Sequence, residues 1–397
     1  MEPARLSEGE ALGVLDGLLP ELAEEASRRD SERVLPHAEI RKLSDAGLFA
    51  LSVPDRFGGA DVSVETLTEV FRRLSAVDPS IGQIPQSHYV FLEALRLQGT
   101  PAQQARFFGE VVRGARYANA QTERGGRTIT EDATTLTPDG PGQYRLQGQK
   151  FYATGSLFAD RLLVRAVLPE RPEGPVAKAI AFVPADAPGV TIEDDWNAMG
   201  QRTTGSGTVR LENVLVPEDD VVPFTPIFDQ PTYYGAFAQL LHAAIDAGVA
   251  RGALNEAKQQ VAKARPWFEA GGERAVDDPL LVQTAGEAEI TVRGAEALLK
   301  QAAELVGVAR SAPDAANTAE ASVATAVAKV TAARAAVEAS SVLFELGGTR
   351  SALNSLNLSR FWRDGRTHSL HDPVRWKVQH IGRWLLDDVA PPRHGQI

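Results

Sequence analysis

No cysteine occurs among the 397 residues of this chain. Disulfides, thiolate nucleophiles and cysteine-based metal centres are therefore excluded. No apolar run reaches the roughly 18 residues needed to span a bilayer. No basic run or aromatic–basic stripe offsets the net charge of −11. Neither a membrane nor a nucleic acid is an expected partner. The first ten residues, M-E-P-A-R-L-S-E-G-E, lack the charged-then-apolar pattern of a signal peptide, so a soluble, cytoplasmic protein is expected. No G-x-G-x-x-G motif follows a strand pattern, which argues against a Rossmann dinucleotide site. What is present is a hydrophobic content of 43%, enough for a large core and two or three domains.

The pattern changes twice along the chain. Leu12, Leu15, Leu18 and Leu22 recur at helical spacing. Helices are also expected over Glu39–Ala46, Val64–Leu74 and Ile81–Leu97, and from Pro101 to Val112. From about residue 116 to 222 short runs rich in branched residues replace them: Tyr144–Leu146, Arg161–Val167, Ala177–Val183 and Thr208–Val216. After Pro226 the helical pattern returns, with an alanine-rich stretch over 315–345 closed by Gly347-Gly348. Small residues there allow close helix–helix approach. The expected fold is α+β and mostly α. A helical domain over 1–115 precedes a β domain over 116–222 and a four-helix-type bundle over 223–397.

The most specific motif is F-W-R-D-G-R-T-H-S-L-H-D-P, Phe361 to Pro373. It spaces His368 and His371 three apart ahead of a helix start, with Asp372 read as N-cap and Pro373 as first helical residue. The positive end of that helix favours a neutral imidazole at His371, suited to bonding a developing anion. The H-x-x-H spacing lacks cysteine or a clear third ligand, so no metal is expected. His368 has a plainer reading, a hydrogen bond to a loop carbonyl. By pattern alone His88, beside Val90, Phe91 and Leu92, is a core histidine and Thr154 a strand threonine. Arg265 and Arg350 also read as surface ion-pair residues, and Trp267 and Trp362 as packing residues.

Several segments in order resemble the acyl-CoA dehydrogenase superfamily. They are Arg41–Gly59, Tyr117–Glu123, Lys150–Asp160 and Asp195–Gly207, and the resemblance covers nearly the whole chain. The closer resemblance is to the reduced-flavin monooxygenases similar to dibenzothiophene and dimethyl sulfone monooxygenases. Its markers are D-D-W-x-A-x-G-x-R at 194–202, A-R-P-W at Ala264–Trp267, and the terminal H-S-L-H-D-P. This resemblance implies FMN, with FAD as the alternative, molecular oxygen, a separate NAD(P)H-dependent flavin reductase and a homotetramer. It implies oxygen insertion at an organosulfur compound through a C4a-peroxyflavin.

The resemblance also supplies site residues. His88, Asn119, Thr154 and His371 are expected to be catalytic, with Thr154 at the flavin N5 edge and the imidazoles near the peroxide. Tyr89 and His368 are expected to line the same pocket. Tyr152, Trp196, Arg202, Thr204 and Ser206 are expected along the flavin ring and tail. Arg265 with Gly348, Thr349, Arg350 and Ser351 would hold the phosphate, where a guanidinium and free backbone N–H groups suit an anion. A dehydrogenase of this superfamily needs a catalytic glutamate. Leu370-His371-Asp372-Pro373 and the Ala238-Gln239 region carry none. Loss of such a base costs about 10²–10⁴-fold in rate. An acyl-CoA dehydrogenase or nitroalkane-oxidase-like enzyme using Asp372 as base, and an N-hydroxylating monooxygenase, are the enzymatic alternatives. A non-catalytic flavin-binding or scaffold protein is the rival from another class.

Overall fold

A computed structural model describes residues 5–128, 131–168 and 177–396. Seven helices come first: α1 (Glu8–Glu24), α2 (Ala26–Glu32), α3 (His37–Asp45), α4 (Val64–Val77), α5 (Pro79–Gln83), α6 (Gln86–Gln98) and α7 (Pro101–Val112). Local chemistry sets their starts. Ser63 Oγ accepts from Thr66 N at 3.1 Å to open α4. Thr100 and Gln103 form a reciprocal capping box at α7, with Pro101 at its first position. The single helix expected over Ile81–Leu97 is instead two. Pro85 lies at the break between α5 and α6, where it cannot supply the N–H that a continuous helix requires.

Eight strands follow: β1 (Tyr117–Ala120), β2 (Thr135–Pro138), β3 (Gln143–Lys150), β4 (Arg161–Val167), β5 (Lys178–Pro184), β6 (Val190–Glu193), β7 (Thr208–Pro217) and β8 (Val221–Pro223). The sheet order is β6-β7-β3-β2-β4-β5-β8, and β1 lies parallel to β4 with Asn119 opposite Leu163. Leu136, Leu146, Leu162, Val164, Val209 and Leu211 form a core under this sheet.

The last third is helical: α8 (Tyr234–Val261), α9 (Pro279–Ser311), α10 (Ala315–Gly347), α11 (Ser359–His368) and α12 (Val374–Asp387). Every residue from Tyr234 to Ala250 is buried, so α8 runs through the molecule with partners all around. A Cβ on Gly248 would lie 2.4 Å from the Arg72 carbonyl oxygen, so glycine there lets α4 and α8 touch backbone to backbone. One apolar cluster joins the N-terminal helices to the C-terminal bundle. Asp372 does not cap α12. Pro373 holds the N-cap position with no side-chain cap bond, and the Asp372 carboxylate bonds Lys377 Nζ instead.

Candidate active site

The F-W-R-D-G-R-T-H-S-L-H-D-P segment forms α11 and the turn after it, and most of its residues have a visible task. Arg363 pairs with Asp30 of α2 and donates from Nη1 to the Met199 carbonyl at 2.7 Å. Asp364 Oδ1 accepts the Gln201 N–H at 2.5 Å. A Cβ on Gly200 would lie 2.0 Å from the Arg363 carbonyl oxygen, so only glycine lets the D-D-W loop dock this closely on α11. Gly365 faces Val249 of α8 and Ala336 of α10. The helix is thus wedged between that loop and two bundle helices, and its last residue, His368, points into the bundle.

There the structure builds a buried polar chain across three helices. Lys329 Nζ of α10 donates to Asp246 Oδ2 of α8 at 2.8 Å. His368 Nδ1 lies 2.6 Å from Asp246 Oδ1, and His368 Nε2 lies 3.0 Å from His242 Nδ1. An ionised Asp246 accepts from His368 Nδ1–H. His368 Nε2 then accepts from His242 Nδ1–H, and His242 Nε2 is left as a lone pair. The His371 ring lies over His242 with centroids 4.0 Å apart and a 34° tilt. Its side chain stays 39% exposed while those of His368 and Asp246 are fully buried. His371 is the member of the group that faces outward.

The electrostatics follow from burial and pairing. Burial holds His242 well below the usual imidazole range, reinforced by His371, His368 and Lys329. Burial lowers His368 as well, against the pull of Asp246. For Asp246 burial acts upward, but Lys329 and His368 outweigh it and the carboxylate is held down. Asp372 is held far below its ordinary value. Burial opposes ionisation there, and His371, Lys329 and Lys377 overcome it. Both carboxylates beside the histidines are therefore ion-paired and weakly basic. Gln239 Oε1, Thr367 Oγ1 and Asp372 Oδ1 are buried with no hydrogen-bond partner among the described residues.

A second polar group comes from the β domain. Ala153 N donates to Gly207 O at 3.1 Å and Gly155 N to Thr204 O at 3.0 Å, lacing the turn after β3 to the segment before β7. Thr154 Oγ1 lies 2.8 Å from Ser206 Oγ, which lies 2.7 Å from Thr204 Oγ1, so the three hydroxyls form one chain. Trp196 Nε1 donates to Gln201 O at 2.8 Å, and its ring meets the half-exposed Tyr152 ring edge-on at 6.1 Å. Tyr152 adopts φ +56° to turn outward. Asn119 Nδ2 donates to Ser87 Oγ at 2.5 Å, and Gln86 Nε2 to the Ala238 carbonyl at 3.1 Å. Ala238 stands one helical turn before His242. β1, α6 and the histidine-bearing face of α8 are thereby tied together.

Other expectations are corrected. His88 is fully buried. Its Nε2 bonds the Phe49 carbonyl at 2.9 Å and its Nδ1 accepts Tyr117 N–H at 3.1 Å, so neither nitrogen is left for a peroxide. Burial pushes its pKa down to about 4. The Tyr89 hydroxyl is spent on the Leu48 carbonyl. Arg202 Nη1 donates to the carbonyls of Asp30 and Ser31 at 2.7 and 3.2 Å, closing the end of α2. Trp267 is 58% exposed and is no packing residue in this chain. His368 bonds a carboxylate and a second imidazole, not a loop carbonyl. Sequence reasoning missed His242, Asp246 and Lys329. Arg265 and Arg350 are exposed, with no ion pair among the described residues. Gly348 turns at φ +64°, and Ser351 Oγ beside it is buried and unpaired. No group of three or more metal-holding side chains occurs among the described residues.

A helical domain, a β domain and a helical bundle in that order, with a buried Lys329–Asp246–His368–His242 chain inside the bundle, define the class: an acyl-CoA dehydrogenase fold. The comparisons agree. Acyl-CoA dehydrogenase N-terminal, middle and C-terminal domains match residues 18–115, 118–214 and 240–376. Dibenzothiophene monooxygenase of Rhodococcus qingshengii is 30% identical, over 98% of this chain and 96% of that protein. A probable FMNH2-dependent monooxygenase, SfnC of Pseudomonas putida, is 30% identical over 96% of each. The FMN-bound crystal structure of TdsC from Paenibacillus sp. A11-2 superposes with a TM-score of 0.93 at 31% identity. That match covers 98% of this chain and all of TdsC. This chain belongs to the acyl-CoA dehydrogenase superfamily, in its flavin-dependent monooxygenase branch.

Proposed function

We propose that this protein is an FMNH2-dependent monooxygenase that inserts one oxygen atom from dioxygen into an organosulfur compound of sulfide, sulfone or thiophene type. The observation that carries the reading is the state of the carboxylates at the pocket. Asp246 and Asp372 are each locked to a lysine and held below their ordinary values. Asp372 makes a poor dehydrogenase base, because its carboxylate is engaged by Lys377. The exposed edge of the site is an imidazole, His371.

The residues present fit FMN. The Thr154–Ser206–Thr204 hydroxyls, Trp196 and Tyr152 offer a polar edge and aromatic faces for the ring. Arg350, the Gly348–Ser351 turn with its unpaired hydroxyl, and Arg265 suit a phosphate. Bound there, reduced FMN would supply the activation of dioxygen. The protein's part is to exclude water, aim hydrogen bonds at the developing charge and move a proton, with His371 as donor and Thr154 and Asn119 as orienting groups. A separate NAD(P)H-dependent flavin reductase would deliver the reduced cofactor.

The test is to supply FMN, NADH and a flavin reductase and screen sulfides, sulfones and thiophenes by mass. Gain of one oxygen by at least one class is expected. Anaerobic bleaching of bound flavin by an acyl-CoA or nitroalkane, with no oxygen gain, would replace the reading.

A further inference from the structure

The buried chain behind His371 does more than brace α11. His242 and His371 are stacked ring over ring at 4.0 Å, and two imidazolium ions at that separation repel strongly. Something must decide which ring of the stack accepts a proton. Asp246 is fully buried and bonded to His368, which is bonded to His242. An uncompensated carboxylate there would draw a proton onto the His368–His242 pair and place a cation under His371. Lys329, itself fully buried, meets the other oxygen of that carboxylate at 2.8 Å. It sits among Ala328, Val330, Ala332 and Ala333, and it has no other ion-pair partner among the described residues.

We propose that Lys329 is a positioning residue. By neutralising Asp246 it keeps His368 and His242 uncharged beneath the His371 ring. The charged and titratable groups around the stack are His242 and Asp246 on α8, Lys329 on α10 and His368 on α11. Asp372, in the turn, and its partner Lys377 on α12 complete the set. Among the described residues, the two lysines of this set are matched to its two aspartates.

The test reads the protein without flavin first. Only seven histidines are present, so solid-state 15N NMR of histidine-labelled protein resolves each imidazole state. In the wild type near neutral pH, His242 and His368 should both be neutral with hydrogen on Nδ1. In Lys329→Met, a proton should appear on the His242–His368 pair. Lys329→Arg should keep the wild-type pattern, and Lys329→Met with Asp246→Asn should restore neutral rings by removing both charges. In the holoenzyme, Lys329→Met should move the kcat/KM profile to lower pH by about one unit or more, the direction a new like charge imposes, and Lys329→Arg should not. A charged His242 or His368 in the wild type, or neutral rings in Lys329→Met, would overturn the proposal. The pH profile rests on the monooxygenase reading, whereas the NMR does not, so the two can fail separately.

Discussion

At the residue scale, the site depends on which polar groups are already spoken for. His88 and Tyr89, which the resemblance places at the site, are buried and bonded to backbone carbonyls. His371 keeps its side chain 39% exposed, and it is the residue proposed to act on the reacting group. His371→Ala should lower oxygen insertion by about 10²–10⁴-fold while FMN affinity stays near wild type. Single-turnover product yield beside equilibrium flavin titration checks this. The missed residues had a signal. His242 and Asp246 stand four apart on one helix, hence on one face, and Lys329 is a lone charge in an alanine helix. They were illegible as a site because only tertiary packing brings α8, α10 and α11 together.

Asp364 gives a second prediction at this scale. Burial and the nearby Asp30 push its carboxyl up to about 7, against an ordinary value of 3.8 and despite its bond from Gln201 N–H. The folded chain therefore binds this proton more tightly than the unfolded one. Its contribution to stability is complete below the ordinary value and is lost as pH rises through about 7. Asp364→Asn keeps an acceptor without the charge. Thermal melts should show wild-type Tm falling from about pH 5 to about pH 8, and the variant losing less, with a difference of about 2–3 kcal/mol over that window.

At the element scale, the order of helix, strand and helix could be read because periodicity and turn residues are local. The starts of α4 and α7 follow their Ser63 and Thr100 caps. The break at Pro85 could be missed because apolar spacing continues across it. The terminal motif was legible as a marker but not as a mechanism. Its arginine and aspartate act on the D-D-W loop more than 150 residues away. Gly200 is where the two meet. Gly200→Ala should force them apart, cost about 1–3 kcal/mol and weaken flavin binding through the Trp196–Gln201 contact. Denaturant unfolding with parallel FMN titration measures both effects.

At the scale of the whole molecule, most of the exposed large apolar side chains lie in the C-terminal third, from Trp267 to Val389. Trp376, Leu385 and Leu386 on α12 are 55, 79 and 80% exposed, and Ile290 on α9 is 72% exposed. Surface of that kind marks an interface, and a homotetramer is the proposed assembly. Light scattering should give about four times the 42.6 kDa chain mass. Leu385→Asp with Leu386→Asp should lower it. Among the described residues no helix is long and apolar enough to cross a membrane.

The central claim is that this pocket serves oxygen transfer and not removal of hydrogen from carbon. Turnover under oxygen-18 gas, with FMN, NADH, a flavin reductase and an organosulfur substrate, tests it most directly. The account predicts one labelled oxygen atom in the product. Label arriving only from water, or a desaturated product with no label, would contradict it.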